Sequence, residues 1–353
     1  MIKQDSIHYT PSLSAALHRY GISLLLTARL SNYLIVVRTR SATELDLHFI
    51  PTHEPFSVAI LGSTLAISYE DKILFLQDAP EAHTKLRPPE IFDAVYVPRL
   101  VKLCGAVSTR DMGWGRNKRV YVASVAYSSV LEIDPLNLAS FARVWNPPHL
   151  TWIDREDRCH LNGICMIDGR PRIACMVDAT SNERVGWRAH RNEGALMDMV
   201  TNKTLVSGLS MPHSPRWHRG GVWFCDSARG LLKRYDPYSE KIETLGAPLP
   251  GFARGLDFHE NFAFVAVSKV RDTAALDAYP HLASIRDSQR QGVWMLPVSS
   301  SQLEAGYLHL PSIGEISDLK ILPHRFPAII TLEQLDRAYN FPYAVRPDPF
   351  LQI

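Results

Sequence analysis

Six seven-residue stretches recur along this chain, each opening on polar groups and closing on apolar ones. They are EPFSVAI (54–60), STRDMGW (108–114), HLNGICM (160–166), MPHSPRW (211–217), FARGLDF (252–258) and EISDLKI (315–321). Consecutive copies start 54, 52, 51, 41 and 63 residues apart. Between them lie pairs of β-rich runs joined by short polar turns, such as LAISYEDKILFLQ, VYVASVAYSSVLEID and VWFCDSARGLLKRYD. A strand-only unit repeated every 40–50 residues or so cannot bury both faces of its sheet alone; stacking in a ring buries them. The expected fold is all-β, a six-bladed β-propeller in which each heptad is the innermost strand of a blade. A seven-bladed ring is the alternative.

The order of the pieces predicts how the ring closes. The chain begins with a hairpin, GISLLLTAR then YLIVVRT, with TELDLHFI as a third strand, and the last repeat is a lone innermost strand, EISDLKI. Pairing the two ends in one blade removes two exposed sheet edges, which are otherwise templates for aggregation. This divides the chain into an N-terminal arm (1–20) with a short helical piece at SLSAALHRY, one propeller domain (21–330), and a tail (331–353) packed outside. Asp134–Pro135 and Asp236–Pro237 each follow a strand and start a turn.

Third place in the heptads falls to Phe56, Arg110, Asn162, His213, Arg254 and Ser317. By the symmetry of the repeat these side chains line one ring near the channel axis. Buried cations there need partners, because desolvation costs several kcal/mol per ion. Glu54, Asp111, Asp257, Glu315 and Asp318 are carboxylates in the same heptads, and their pairing with the arginines inside a wet channel is the structural alternative. The functional reading is a pocket for a small polar or anionic molecule. Arg110 and Arg254 clamp its carboxylate or phosphate, Asn162 orients it, and His213 is the general acid or base. Asp111, His160 and Ser317 join the ligand-binding set.

Two hairpins carry insertions, 179–193 and 269–291, which this topology hangs over the same mouth. The first holds Arg184, Trp187, Arg188, His190 and Arg191; the second holds Tyr279, His281, Arg286 and Arg290. Long loops of this kind are usually functional or disordered. They read as a lid, with Trp187 and Arg188 among the ligand-binding residues, or as a surface for a protein partner. The latter belongs to the second hypothesis, a non-catalytic scaffold propeller.

Other classes are not supported. A formal net charge of +2, with no long basic run, makes no case for nucleic acid. No apolar run spans a membrane and no secretory signal opens the chain, while five cysteines without a CxxC pair read as buried thiols of a cytoplasmic protein. No metal is assigned: His160, His213, Asp226 and Glu54 form no compact signature, and a calcium-like set of Glu54, Asn162 and Asp318 would share its ring with two arginines. There is no nucleotide cofactor motif, and Ser210 and Ser214 near His213 lack an orienting acid.

DRCHLNGICM, the GWR of the first insertion, SGLSMPHSPRW and GFARGLDFHENFAFVAVSK together resemble a bacterial family of uncharacterised propeller proteins, over about residues 20–325. The resemblance implies a cytosolic six-bladed propeller and no particular reaction. The family carries His at the place of Arg110; STRDMGW keeps Asp111 without it, which implies altered activity if that His is a ligand or base. A looser resemblance, of fold only, runs to gluconolactonase- and strictosidine-synthase-like propellers.

Overall fold

The computed structural model describes residues 7–83, 86, 92–151, 154–270, 276–299 and 303–332. Six small sheets form a ring, the arrangement of a six-bladed β-propeller. Blade 3 contains Thr109–Trp114, Val120–Ser124, Ser129–Ile133 and Ala142–Trp145, from channel to rim. Blade 4 contains Leu161–Ile167, Arg170–Met176, Gly194–Asp198 and Thr204–Leu209; blade 5 contains Pro212–His218, Gly221–Asp226, Leu231–Tyr235 and Ile242–Leu245. Blade 2 runs Val58–Leu61, Thr64–Ser68, Lys72–Asp78 and Ala94–Leu103, and Pro327–Ile329 adds to its rim in parallel. Blade 6 runs Phe252–His259, Phe262–Ser268, Gly292–Pro297 and Gly306–His309, with His8–Tyr9 on its rim.

Blade 1 closes the ring. Its innermost strand, Asp318–Leu322, comes from the last repeat and pairs antiparallel with Ser23–Ala28, from Ser23 opposite Leu322 to Thr27 opposite Asp318. Tyr33–Ser41 and Glu44–Pro51 complete it. The two-residue alternation of a strand sends neighbouring side chains to opposite faces. Leu24 and Leu26 therefore pack toward blade 6, while Leu25 packs toward blade 2. The same division holds around the ring, with one apolar cluster at each of the six blade interfaces.

The helical piece expected in the N-terminal arm at SLSAALHRY forms. Pro11 starts a helix, Pro11–Tyr20, and Gly21 ends it in the left-handed conformation. Leu13, Ala16 and Leu17 lie one turn apart on one face and enter the cluster between blades 6 and 1. The arm thus covers the seam where the ring closes. The expected C-terminal tail lies outside the described residues apart from Thr331 and Leu332.

Asp134 and Asp236 make the turns expected of them, each accepting from the backbone N–H two residues on, Leu136 at 3.0 Å and Tyr238 at 2.8 Å.

Deleting residues 1–50 removes three strands of blade 1 and the seam helix. Leu24, Leu25, Leu26, Ile35 and Val37 are all fully buried, and each contributes about 1.5–3 kcal/mol by burial, together comparable with the ~5–15 kcal/mol stability of a whole domain. The truncated chain is expected to aggregate or melt without cooperativity. Soluble protein with a sharp calorimetric transition would contradict this closure.

Candidate functional site at the channel mouth

The innermost strands are not regular ladders. In blade 3, Thr109 and Asp111 pair with Ser124 and Ala123, and Arg110 between them is skipped. Asn162 is skipped in blade 4, between Leu161 and Gly163. In blade 6 the register breaks over Arg254 and Gly255, and in blade 5 it breaks just after His213. A β-bulge re-aims a side chain away from the sheet normal. Four polar members of the third-place ring thus owe their direction to bulges at or beside them. Gly255 is needed for its own: φ is +82°, and a Cβ there would come within 2.9 Å of the Leu319 backbone nitrogen. Phe56 and Ser317 differ, lying just before their strands.

The turn into the strand is strained in four of the six copies. Glu54, Ser108, His160 and Met211, each first in its heptad, have φ of 41°, 49°, 49° and 53°. Such conformations cost a non-glycine residue on the order of 1–3 kcal/mol and persist where surrounding contacts enforce them. For His160 those contacts are visible. Asp157 accepts the His160 backbone N–H at 3.0 Å with one oxygen and sits 2.6 Å from ring Nδ1 with the other. The Trp187 ring covers the imidazole, with ring centroids 4.0 Å apart.

His213 is fixed differently. Its Nδ1 lies 2.8 Å from the Met211 carbonyl oxygen, which can only accept, so Nδ1 carries the proton and Nε2 the lone pair. Ser227 Oγ is 3.0 Å from the same nitrogen. Burial first, then the nearby Arg254 guanidinium, holds this imidazole well below the ordinary histidine range. His160 is also lowered, by burial first and by Arg110 and Arg254, against the opposing pull of Asp157. The imidazole backed by a carboxylate is therefore His160, whereas His213 was expected to be the acid or base. His213, with its proton on Nδ1, presents Nε2 as an acceptor.

Arg110 makes no hydrogen bond or ion pair among the described residues, and its Nε is buried without a partner. Burial and the neighbouring Arg254 bring its pKa down to about 10. Arg254 gives one nitrogen to Glu315 and leaves Nε and one Nη unpartnered. Asn162, 1% exposed, has neither amide atom bonded. Burial alone would raise the Glu315 carboxyl; Arg254, Arg110 and Arg29 together hold it below its usual range. Ser317 Oγ points at Glu315, 3.4 Å away. Arg29, from a turn outside the heptads, lies 4.4 Å over the Phe56 ring and reaches Glu54 at 3.4 Å.

Deeper in the channel the polar groups are satisfied. Arg216 donates to both oxygens of Asp111 at 2.7 and 2.9 Å, and to the carbonyls of Leu256 at 3.1 Å and Ile164 at 3.3 Å. Asp318 lies 3.8 Å from Arg216 and 3.7 Å from Lys320, and accepts from Ser57 Oγ and the Val58 N–H. Asp257 accepts the Phe258 and Ile321 N–H groups. Asp111 was expected to bind ligand; it is committed instead to Arg216 and to the Ile164 N–H of the next blade. The alternative in which the ring arginines pair with heptad carboxylates holds in part: Arg254 meets Glu315, while Asp111, Asp257 and Asp318 serve Arg216, Lys320 and backbone amides. Glu54 and Asp318 of the alternative cation set are also held by cations of the chain. Among the described residues no three His, Cys, Asp or Glu are placed to hold a metal.

Both insertions sit at this mouth. The first brings Trp187 over His160, Arg188 over Trp187 at 5.7 Å, and the Arg191 carbonyl to the Met211 N–H. The second packs Leu276, Tyr279 and Leu282 against Met211 and Phe252. They meet where Arg191 lies beside Tyr279 and opposes the rise that burial gives its hydroxyl. Other polar members turn back on their own loops, His190 to Glu193 and Arg286 to Asp277.

Fold and mouth together define a six-bladed propeller with a cation-rich mouth at one end of its channel. Its sequence places it further: the chain belongs to the DUF4915 family, described as a domain of unknown function, whose model matches residues 11–330. No curated protein matches the chain. Among solved structures it is similar to one in the crystal structure of a nidogen/laminin complex, with a TM-score of 0.56 and 9% identity over 86% of this chain and 100% of that one. It is also similar to a protein of unknown function from Bacteroides caccae, with a TM-score of 0.50 and 12% identity over 86% and 99%. At these identities the likeness is one of fold.

Two outcomes follow from the geometry. Arg216→Ala leaves the buried Asp111 carboxylate uncompensated and is expected to cost about 3–5 kcal/mol in denaturant melts; a loss under about 1 kcal/mol would show that the plug is incidental. The depressed His213 sets a pH dependence. The unfolded chain binds its proton near pH ~6.5 while the folded chain does not, so stability is full above that value and falls as pH drops below it. The limiting slope is about 1.4 kcal/mol per pH unit for one histidine. His213→Asn is expected to flatten the curve between about pH 7 and 5, and an unchanged slope would contradict the assignment.

Proposed function

We propose that this DUF4915 propeller binds a small anionic molecule at the channel mouth, where two neutral imidazoles are available for acid–base chemistry on it. The observation that carries the reading is the contrast between the two depths of the channel. Buried polar groups are hydrogen-bonded in the great majority of cases, and each exception asks for an explanation. Around Arg216 every acidic group has its partner, whereas Arg110, Asn162 and Arg254 keep five buried polar atoms without one. All three belong to the same ring. Two guanidiniums with spare donors suit a carboxylate or phosphate, and the enclosed, low-dielectric setting strengthens each contact relative to water.

The insertions support a lid over this site more than a separate scaffold surface, because their aromatic and apolar residues turn inward. No helix among the described residues is long and apolar enough to cross a membrane. All five cysteines are buried, and burial pushes the Cys104 thiol up to about 11 and the Cys225 thiol up to about 12. Such inert thiols suit the cytoplasm.

Phosphate, sulfate and simple carboxylates are expected to raise the melting temperature, through a stabilisation of about 2.7 kcal/mol at a hundredfold excess over Kd. Arg254→Ala should abolish the response, Arg110→Ala should weaken it, and added sodium chloride should reduce it by screening. No shift with any of these anions in the wild-type chain would overturn the proposal.

A further inference from the structure

The geometry points to a more specific ligand: we infer that the mouth takes a carboxylate that carries a hydroxyl on the neighbouring carbon, and that Asp157 is the positioning residue for the hydroxyl's acceptor, His160. This rests on the anion reading above and narrows it.

Asp157 lies outside the heptads, three residues before His160, and makes two contacts to that one residue. One oxygen accepts the backbone N–H at 3.0 Å and the other sits 2.6 Å from Nδ1. A carboxylate at Nδ1 places the proton there and the lone pair on Nε2, and it stabilises the cation that forms when Nε2 takes a proton. Nε2 of His160 makes no hydrogen bond among the described residues, and Trp187 closes one face of the ring. His160 thus offers a single, oriented acceptor.

That acceptor lies within the field of the two arginines with spare donors. Arg110 and Arg254 both act on His160, and Asp157 and Arg254 both act on Arg110. The charged and titratable groups around His160 are accordingly Asp157, Arg110, Arg254 and His213. In this proposal a carboxylate held by the guanidiniums turns its neighbouring carbon to the imidazoles, since Arg110, His213 and Arg254 share third place in their heptads and so one ring. What fits an imidazole lone pair is a hydrogen-bond donor without positive charge, since an ammonium would be repelled by the arginines. A hydroxyl meets that requirement. His213, whose Nε2 is also a fixed lone pair, adds a second acceptor.

Acetate and glycolate are the probes, differing only in that hydroxyl, and the full chain is titrated with each by calorimetry. Glycolate is expected to bind about tenfold more tightly than acetate, the effect of one hydrogen bond to a group that becomes partly charged. His160→Gln and Asp157→Asn should each bring the ratio toward one. Nitrogen-15 NMR of the unliganded wild type should show His160 protonated at Nδ1, and Asp157→Asn should shift its titration. If acetate and glycolate bind equally well, or the ratio survives both substitutions, this inference fails while the anion site stands. If neither binds, this inference fails, and the anion reading is decided by phosphate and sulfate. His160 found protonated at Nε2 in the wild type would overturn the role given to Asp157.

Discussion

The Arg216 guanidinium is the contact on which the ring depends. It belongs to blade 5, yet it bonds Asp111 of blade 3 and the Ile164 carbonyl of blade 4, reaches the Leu256 carbonyl of blade 6, and faces Asp318 of blade 1. Asp318 carries the connection on to Ser57 and Val58 of blade 2. Six sheets packed side by side leave an axial channel whose backbone and acidic groups must be satisfied away from bulk water. One planar cation with five donors does much of this at once. Its pKa rises despite burial because Asp111, Asp318 and Asp257 surround it. A buried ion pair is weak evidence for net stability; here its clearer consequence is geometric, because it fixes the six innermost strands relative to one another.

A plugged channel turns the open end into a cup. Bulges in four innermost strands tip Arg110, Asn162, Arg254 and the end of the His213 segment toward that cup, and the strained heptad openings bring His160 and Asp157 to its wall. Strain and unpartnered polar groups gathered in one place are the features on which the proposed anion site rests. The apolar interfaces between blades carry the stability, so the mouth is free to be suboptimal.

Much of this was legible in the sequence because a propeller repeats its physics. The inner three strands of the blades show either strict alternation or continuous apolar runs, and the expected strands coincide with Tyr33–Ser41, Gly221–Asp226 and Phe262–Ser268 among others. Apart from TELDLHFI, which forms the rim strand Glu44–Pro51, the rim strands were not read. Ala142–Trp145 and Ile242–Leu245 are mostly exposed, so no hydrophobic pattern marks them. The ring positions followed from symmetry, but the partners did not. Arg216 was overlooked because it stands sixth in its heptad, outside the third-place ring, and only Lys320 is a cation at that place in another copy. Asp157 and Arg29 lie outside the repeat, in a loop and a turn whose paths depend on tertiary packing. The pairing of Asp111 with Arg216 was hidden for the same reason: which carboxylate meets which guanidinium across five blades is not a local property.

The most direct measurement is a high-resolution crystal structure of the full chain grown with a millimolar carboxylate and inspected at the mouth. The account predicts a discrete anion within hydrogen-bond distance of Arg110 and Arg254, with Asn162 touching it and Arg216 still on Asp111. Both guanidiniums folded back onto Glu315 and Asp157, with only disordered solvent between them, would contradict it.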